Sequence, residues 1–269
     1  MRSKPGTMVQ TFEEELLTLP LESEAVRPYL EKHLSRLAQT LEMVPRSEGG
    51  RALELGCYMQ ITPFLQRECG YTEVRGAYLG NPGEWITKTV AFPDGDFTCR
   101  IDLFDAERDP FPYENGYFDL VVASEIIEHM VFDPMHLLVE SRRVLGEGGR
   151  LLLSTPNAAS FAAIAKALDG RTSPMIFPQY KHPNPSEPEI GHVHEYTAHE
   201  LGLTIEGAGF EIERLFTTPI EEYASHQSLR PLLEANGYST ENRGEQTWCL
   251  AVKRSGLPVN RYPEFLYSE

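Results

Sequence analysis

One recurrence restricts the fold of this chain more than any other feature. Short apolar runs alternate with stretches of helical pattern: ALELG (52–56), EVRGAYL (73–79), FTCRIDLF (97–104), FDLVVAS (118–124) and RLLLSTP (150–156). ITPFLQREC and DPMHLLVESRRVLG carry the helical pattern between them. Continuously apolar runs belong to strands covered on both sides, and helical connections make such strands parallel. The second helical stretch supplies its own punctuation, with Asp133 as a cap, Pro134 in the first turn and GEGG as a glycine-rich turn after it. Two more strands, Phe210–Phe216 and TWCLAVKR (247–254), and two more helices, Ala198–Gly207 and Glu222–Asn236, follow. The expectation is an α/β fold with a mostly parallel seven-stranded sheet and helices on both faces.

The flanks read differently. Apolar positions recur at helical spacing over 12–44, and Pro20 and Pro28 divide them into a short helix and a longer one. PRSEGG (45–50) is a loop. After AASFAAIAKAL, a helical piece, comes RTSPMIFPQYKHPNPSEPEIGHVHEY, rich in proline and aromatics, as in a lid or binding loop. Within it Phe177 and Tyr180 are candidates to line a ligand site, whereas His182, His199 and His226 read as solvent-facing. The organisation expected is a helical cap (1–48), a main domain (49–255) with an inserted lid (157–195), and a C-terminal tail (256–269) packed on the body.

Charge narrows the partners. The 269-residue chain has a formal net charge of −16 and no Lys/Arg-rich run. Such a surface repels phosphate backbones, which disfavours nucleic acid and leaves small neutral or cationic ligands. Cys57, Cys69, Cys99 and Cys249 have no CxxC spacing and read as reduced thiols. No apolar stretch reaches signal-peptide or membrane-spanning length. A cytoplasmic protein without membrane attachment is expected.

In open parallel sheets ligands bind at the carboxyl ends of the strands. The first strand delivers Glu54, Leu55 and Gly56 there, and a glycine in that place admits a ligand close to the backbone. The three-glycine dinucleotide fingerprint and the GK[ST] of a P-loop are both missing. Glu54 is ill suited to a pyrophosphate and well suited to a cationic cofactor. The fourth strand runs into SEIIEH, where Glu125, Glu128 and His129 share a face if they form a helical turn. Two carboxylates and an imidazole suit a divalent cation, and His192 or His194 of GHVHEYT offers a fourth ligand. Two simpler readings stand beside it: His129 as a base without metal, and a polar helix start.

Taken in order, ELG, FDAERDPFPYENGYFDLVVASEIIEH, RRVLGEGGRLLLSTPNA and GHVHEYTAHEL make the chain, over roughly residues 50–255, resemble the class I S-adenosylmethionine-dependent methyltransferases. Within them it is similar to a bacterial subgroup associated with glycan and natural-product tailoring. The resemblance implies a Rossmann-like fold and S-adenosylmethionine as cofactor. It places Glu54 near the methionine amino group, with Gly56 packed on the cofactor, Asp105 at the adenine amino group and Ala106 supplying a backbone contact. Ser124 and Glu125 fall at the methionine end. Tyr78 stands where the family has an acid for the ribose hydroxyls, with Asn81 as a nearby substitute, and Tyr58 and Gln60 replace further turn glycines.

The ExxEH pattern with its later histidine resembles that of the ubiquinone-pathway O-methyltransferases and the small-RNA 3′-end 2′-O-methyltransferases. That likeness implies that Glu125, Glu128, His129 and His192 hold a divalent metal (Mg, Mn, Fe or Zn), with His129 and Glu128 as the catalytic pair. The activity expected is O-methylation of a small molecule or glycan. A metal-dependent RNA 2′-O-methyltransferase and a degenerate, non-catalytic binding or scaffold protein are the alternatives.

Overall fold

The computed structural model describes residues 8–20, 27–171 and 191–267. Most of the expected lid, with Phe177, Tyr180 and His182, lies outside the described residues. The chain divides into two compact units, one of Met1–Val122 with Arg143–Leu152 and one of Ala123–Arg142 with Leu153–Glu269.

The first unit begins with three helices, α1 (Met8–Leu17), α2 (Arg27–Lys32) and α3 (Leu34–Met43). Pro28 does not divide them. It sits in the first turn of α2, where a missing N–H costs nothing, and the break falls at His33. Next come β1 (Arg51–Leu55), α4 (Thr62–Arg67), β2 (Glu73–Tyr78), β3 (Trp85–Phe92) and β4 (Gly95–Leu103). β2 lies parallel to β1 and to β4, and Gly76 fits where an added Cβ would stand 2.7 Å from Cys57 Sγ. β3 is antiparallel to β4.

The sheet therefore has eight strands rather than seven. β3 escaped the sequence reading because most of it is exposed and its apolar residues are split by Thr87, Lys88 and Thr89. Its place comes from a tight hairpin instead. Phe92 pairs with Gly95 across Pro93 and Asp94, and Gly95 takes φ +137°, a conformation open to glycine.

β5 (Phe118–Ser124) and β6 (Leu145–Pro156) start in the first unit and end in the second. The expected GEGG turn is absorbed into β6, with Gly148 at φ +76°. The second unit adds most of α5 (Pro134–Val144), then α6 (Phe161–Leu168), α7 (Ala198–Gly207), β7 (Phe210–Thr218), α8 (Arg230–Ala235) and β8 (Gln246–Lys253). The helix expected over 222–236 is a 3₁₀ stretch, Glu221–Leu229, followed by the short α8. Pro231, in a first-turn position of α8, accounts for where the regular helix starts. The mostly parallel sheet has the order β3-β4-β2-β1-β5-β6-β8-β7. Among the described residues no helix is long and apolar enough to cross a membrane, and all four cysteines are free and buried.

Candidate active site

At the end of β1 the Glu54 carboxylate is buried and accepts a hydrogen bond of 2.5 Å from Thr62 Oγ1 in α4. Burial pushes its pKa well above the ordinary carboxylate value; the nearby Cys57 adds to this and the Thr62 bond opposes it. Gly56 follows at φ +67° and Met59 at φ +66°, so the turn is tight without the missing glycines. Tyr58 and Tyr78 are both exposed, and their hydroxyls lie 3.0 Å apart. Asn81 bonds Glu84 through Nδ2 at 3.2 Å, on the surface. Asp105 is half-buried, its Oδ1 accepting the Glu107 N–H at 2.9 Å, and Ala106 lies between them.

The second unit carries a polar group of its own. Ser124 Oγ is buried and makes no hydrogen bond among the described residues. SEIIEH does not form one helical turn: Glu125 takes φ +56°, and only Ile127–His129 coil, as a 3₁₀ turn. Glu125 consequently turns to other partners, its Oε1 accepting from Ser154 Oγ (3.0 Å) and Gln246 Nε2 (2.6 Å). Glu128 is fully buried and accepts from Thr155 Oγ1 at 2.9 Å. Its carbonyl receives the backbone N–H of Val193 at 2.7 Å, which ties the GHVHEYT segment to the end of β5.

This tie brings His192 to the glutamate and to His129. Glu128, His129 and His192 each offer a ligand atom within 4.8 Å of the others. The two imidazoles meet edge to face at 5.0 Å, and His129 Nε2 is 3.9 Å from Glu128 Oε1. His129 Nδ1 faces the Gly191 carbonyl at 3.3 Å, and a carbonyl can only accept. His192 Nδ1 faces Glu195 Oε1 at 2.9 Å. A proton on Nδ1 would satisfy each of these contacts and leave His129 Nε2 toward Glu128, the orientation that carboxylate and carbonyl partners impose on metal-binding histidines. His194 instead packs edge to face on Tyr196 at 4.5 Å, and Glu125 stands outside the group. Sequence reasoning missed Thr155, Gln246 and Glu195. Only Glu195, three residues after His192, had a local signal.

Fold and site together define a Rossmann-like α/β protein whose polar chemistry gathers at the strand ends and whose first turn is not built for a dinucleotide. The chain is, more narrowly, a member of the methyltransferase domain family, whose model matches residues 24–215. A probable S-adenosylmethionine-dependent methyltransferase of Mycolicibacterium smegmatis is 33% identical over 114 residues, 42% of this chain and 37% of that protein. The 27-O-demethylrifamycin SV methyltransferase of Amycolatopsis mediterranei is 29% identical over 142 residues, 51% of this chain and 52% of its own. The matches thus span about half or less of these relatives' length. Among solved structures, a Thermotoga maritima S-adenosylmethionine-dependent methyltransferase described as a possible histamine N-methyltransferase superposes with a TM-score of 0.52 at 17% identity. That match covers 92% of this chain and all of the other, a likeness of fold.

Proposed function

We propose that this protein moves a methyl group from S-adenosylmethionine to an oxygen of a small-molecule or glycan acceptor, with a divalent cation held by Glu128, His129 and His192. The observation that carries the reading is the convergence of a buried carboxylate and two imidazoles whose ligand atoms all lie within 4.8 Å of one another. The Amycolatopsis relative, by its name, acts on an oxygen of a natural product, which supports a small-molecule acceptor.

The residues fit the cofactor. Glu54 offers a buried carboxyl whose hydrogen bond comes from a neutral hydroxyl, which leaves its charge, once ionised, for a cationic amino group. Ser124 offers a buried hydroxyl that has no protein partner among the described residues. S-adenosylmethionine, when bound, supplies an electrophilic methyl on a sulfonium. Its transfer is an in-line displacement that disperses charge, so a dry, positioned site already accelerates it.

A hydroxyl acceptor must also lose a proton. In the metal-free alternative His129 Nε2 would accept it instead of binding a cation, with Nδ1 against the Gly191 carbonyl and Glu128 beside the ring to stabilise the imidazolium. A divalent cation, when bound, would lower the proton affinity of the hydroxyl directly. The net charge of −16 speaks against an RNA acceptor. Isothermal titration with S-adenosylmethionine and with S-adenosylhomocysteine tests the reading. Failure of both to bind at millimolar concentration would leave a scaffold protein. Metal analysis of protein purified without chelator separates the cation from a metal-free His129 base.

A further inference from the structure

The second unit holds a cavity of about 510 Å³ whose lining reverses the sign of the chain. The whole sequence carries 40 acidic residues against 24 Lys and Arg. Among the described residues, the charged groups lining this cavity are Arg230 and Arg243, without a carboxylate. Phe161, Phe216 and Ile220 contribute apolar wall.

Arg243 is fixed in advance. Its Nε donates to the Ser239 carbonyl and its Nη1 to the Ala159 carbonyl, each at 3.0 Å. Both acceptors are neutral, so they orient the fork without cancelling its charge. The loop that carries it is pinned as well: Asn157 Nδ2 donates to the carbonyls of Asn242 (2.9 Å) and Gly244 (2.7 Å). Arg230 lies over the Phe161 ring at 5.2 Å and donates to Thr240 Oγ1 at 2.9 Å. Glu234 stands 3.8 Å from Arg230, but both side chains are about half exposed, where such a pair is weak.

The cavity is also well placed. β7 and β8 are antiparallel with Thr218 opposite Gln246, so the connection that builds the cavity springs from one end of that pair. At that end Gln246 holds Glu125, and Asn157, which pins the Arg243 loop, directly follows β6. Tyr196, four residues past His192, receives the Ala158 N–H at 3.1 Å. The cavity rim and the Glu128 cluster are thus parts of one hydrogen-bonded framework.

We infer that this cavity binds an oxyanion group (carboxylate, phosphate or sulfate) borne on an apolar or aromatic body, and that it receives that part of the methyl acceptor. The second half of the inference rests on the methyl-transfer reading. A preoriented guanidinium recognises such groups by paired, charge-assisted hydrogen bonds, while the rings hold the apolar body.

The test uses two fluorescent probes on the full chain: 8-anilinonaphthalene-1-sulfonate and its uncharged counterpart N-phenyl-1-naphthylamine. The anionic probe should bind about tenfold tighter, the return of one charge-assisted contact. Arg230→Gln and Arg243→Gln should each erode that preference and leave the neutral probe's Kd unchanged. Arg243→Lys should restore part of it. Benzoate and phenyl phosphate as competitors then distinguish a carboxylate from a phosphate ligand. Because Arg243 also ties its loop, melting temperatures accompany each variant, and the exposed Arg230 keeps the test decisive if Arg243→Gln unfolds. Equal binding of the two probes, or a preference that survives Arg230→Gln in folded protein, overturns the inference. S-adenosylhomocysteine titrated into the same samples keeps the two proposals apart. Cofactor binding without anion preference sinks the cavity alone, and anion preference without cofactor binding sinks its assignment to a methyl acceptor.

Discussion

The Tyr58 and Tyr78 hydroxyls lie 3.0 Å apart, their rings edge to face at 5.3 Å. In the resemblance drawn from the sequence, one of them stands for a turn glycine and the other for an acid. We propose that they act as a linked replacement rather than two independent losses. Phenols can donate and accept, as ribose hydroxyls also can, so the pair retains hydrogen-bonding capacity where a carboxylate is missing.

Tyr78→Phe removes one partner of that pair while keeping the ring. S-adenosylhomocysteine affinity should fall about tenfold, the value of one or two net hydrogen bonds. The melting temperature should hardly move, because both rings are exposed. Unchanged affinity in a titration calorimeter would mean that the ribose is held elsewhere.

The alternation of buried strands and helices was legible in the sequence because burial on both faces writes a continuous apolar run, as in Phe118–Ser124. β3 was not, since an exposed hairpin arm is placed by its turn and its partner, not by its own pattern. The same division holds at the site. Glu128, His129 and His192 were legible as residue types, and the structure brings their ligand atoms together. The path of Glu125 was not, because a positive φ at a non-glycine residue leaves no mark in composition. Ser154 and Gln246, which capture its carboxylate, come from distant strands.

Glu54 should show a conflict between stability and binding. Burial, more than Cys57, raises its folded pKa well above the ordinary carboxylate value. A carboxyl whose folded pKa is raised favours the native state most at low pH, and that contribution is lost as pH rises through the folded value. Glu54→Gln should therefore raise the melting temperature at pH 7, with the gain disappearing toward pH 4. Affinity for S-adenosylmethionine should fall by about 100-fold, as for a lost charge-assisted contact. In wild-type protein, binding should release a proton, read as a dependence of the calorimetric heat on buffer ionisation enthalpy.

The cation proposal separates ligands from neighbours. Glu128→Ala and His192→Ala should each abolish the same metal equivalent, measured by elemental analysis after dialysis against Mn or Zn. Glu195→Gln keeps the cluster but weakens the hold on His192 Nδ1, and should lower metal affinity about 10- to 100-fold. Glu125→Ala should leave the equivalent intact, because Glu125 is bound to Ser154 and Gln246. Loss of metal in Glu125→Ala, or its retention in His192→Ala, would contradict the assignment.

Asp133 joins the start of α5 to the C-terminal tail within the second unit. Its carboxylate caps α5 through the His136 N–H (3.2 Å), accepts Tyr267 Oη at 2.7 Å and pairs with both terminal nitrogens of Arg261. Asn260, beside Arg261, donates its N–H to the Gly207 carbonyl at 2.7 Å, so the tail is fastened at a second point. Burial works to raise the Asp133 pKa, but the bonds from Arg261 and Tyr267 outweigh it and hold the group below the usual 3.8. Burial, helped by the same contact, pushes the Tyr267 hydroxyl up to about 12. A depressed carboxyl stabilises the fold above its unfolded pKa and loses that contribution as pH falls through the folded value. Asp133→Asn should thus cost about 1–2 kcal/mol in denaturant titration at pH 7, the range of a partly exposed charge-assisted cap and pair. At pH 3 the difference from wild type should shrink. Carboxypeptidase should trim the variant's tail faster at pH 7. An equal rate of trimming would mean that the Asn260–Gly207 bond, rather than Asp133, keeps the tail in place.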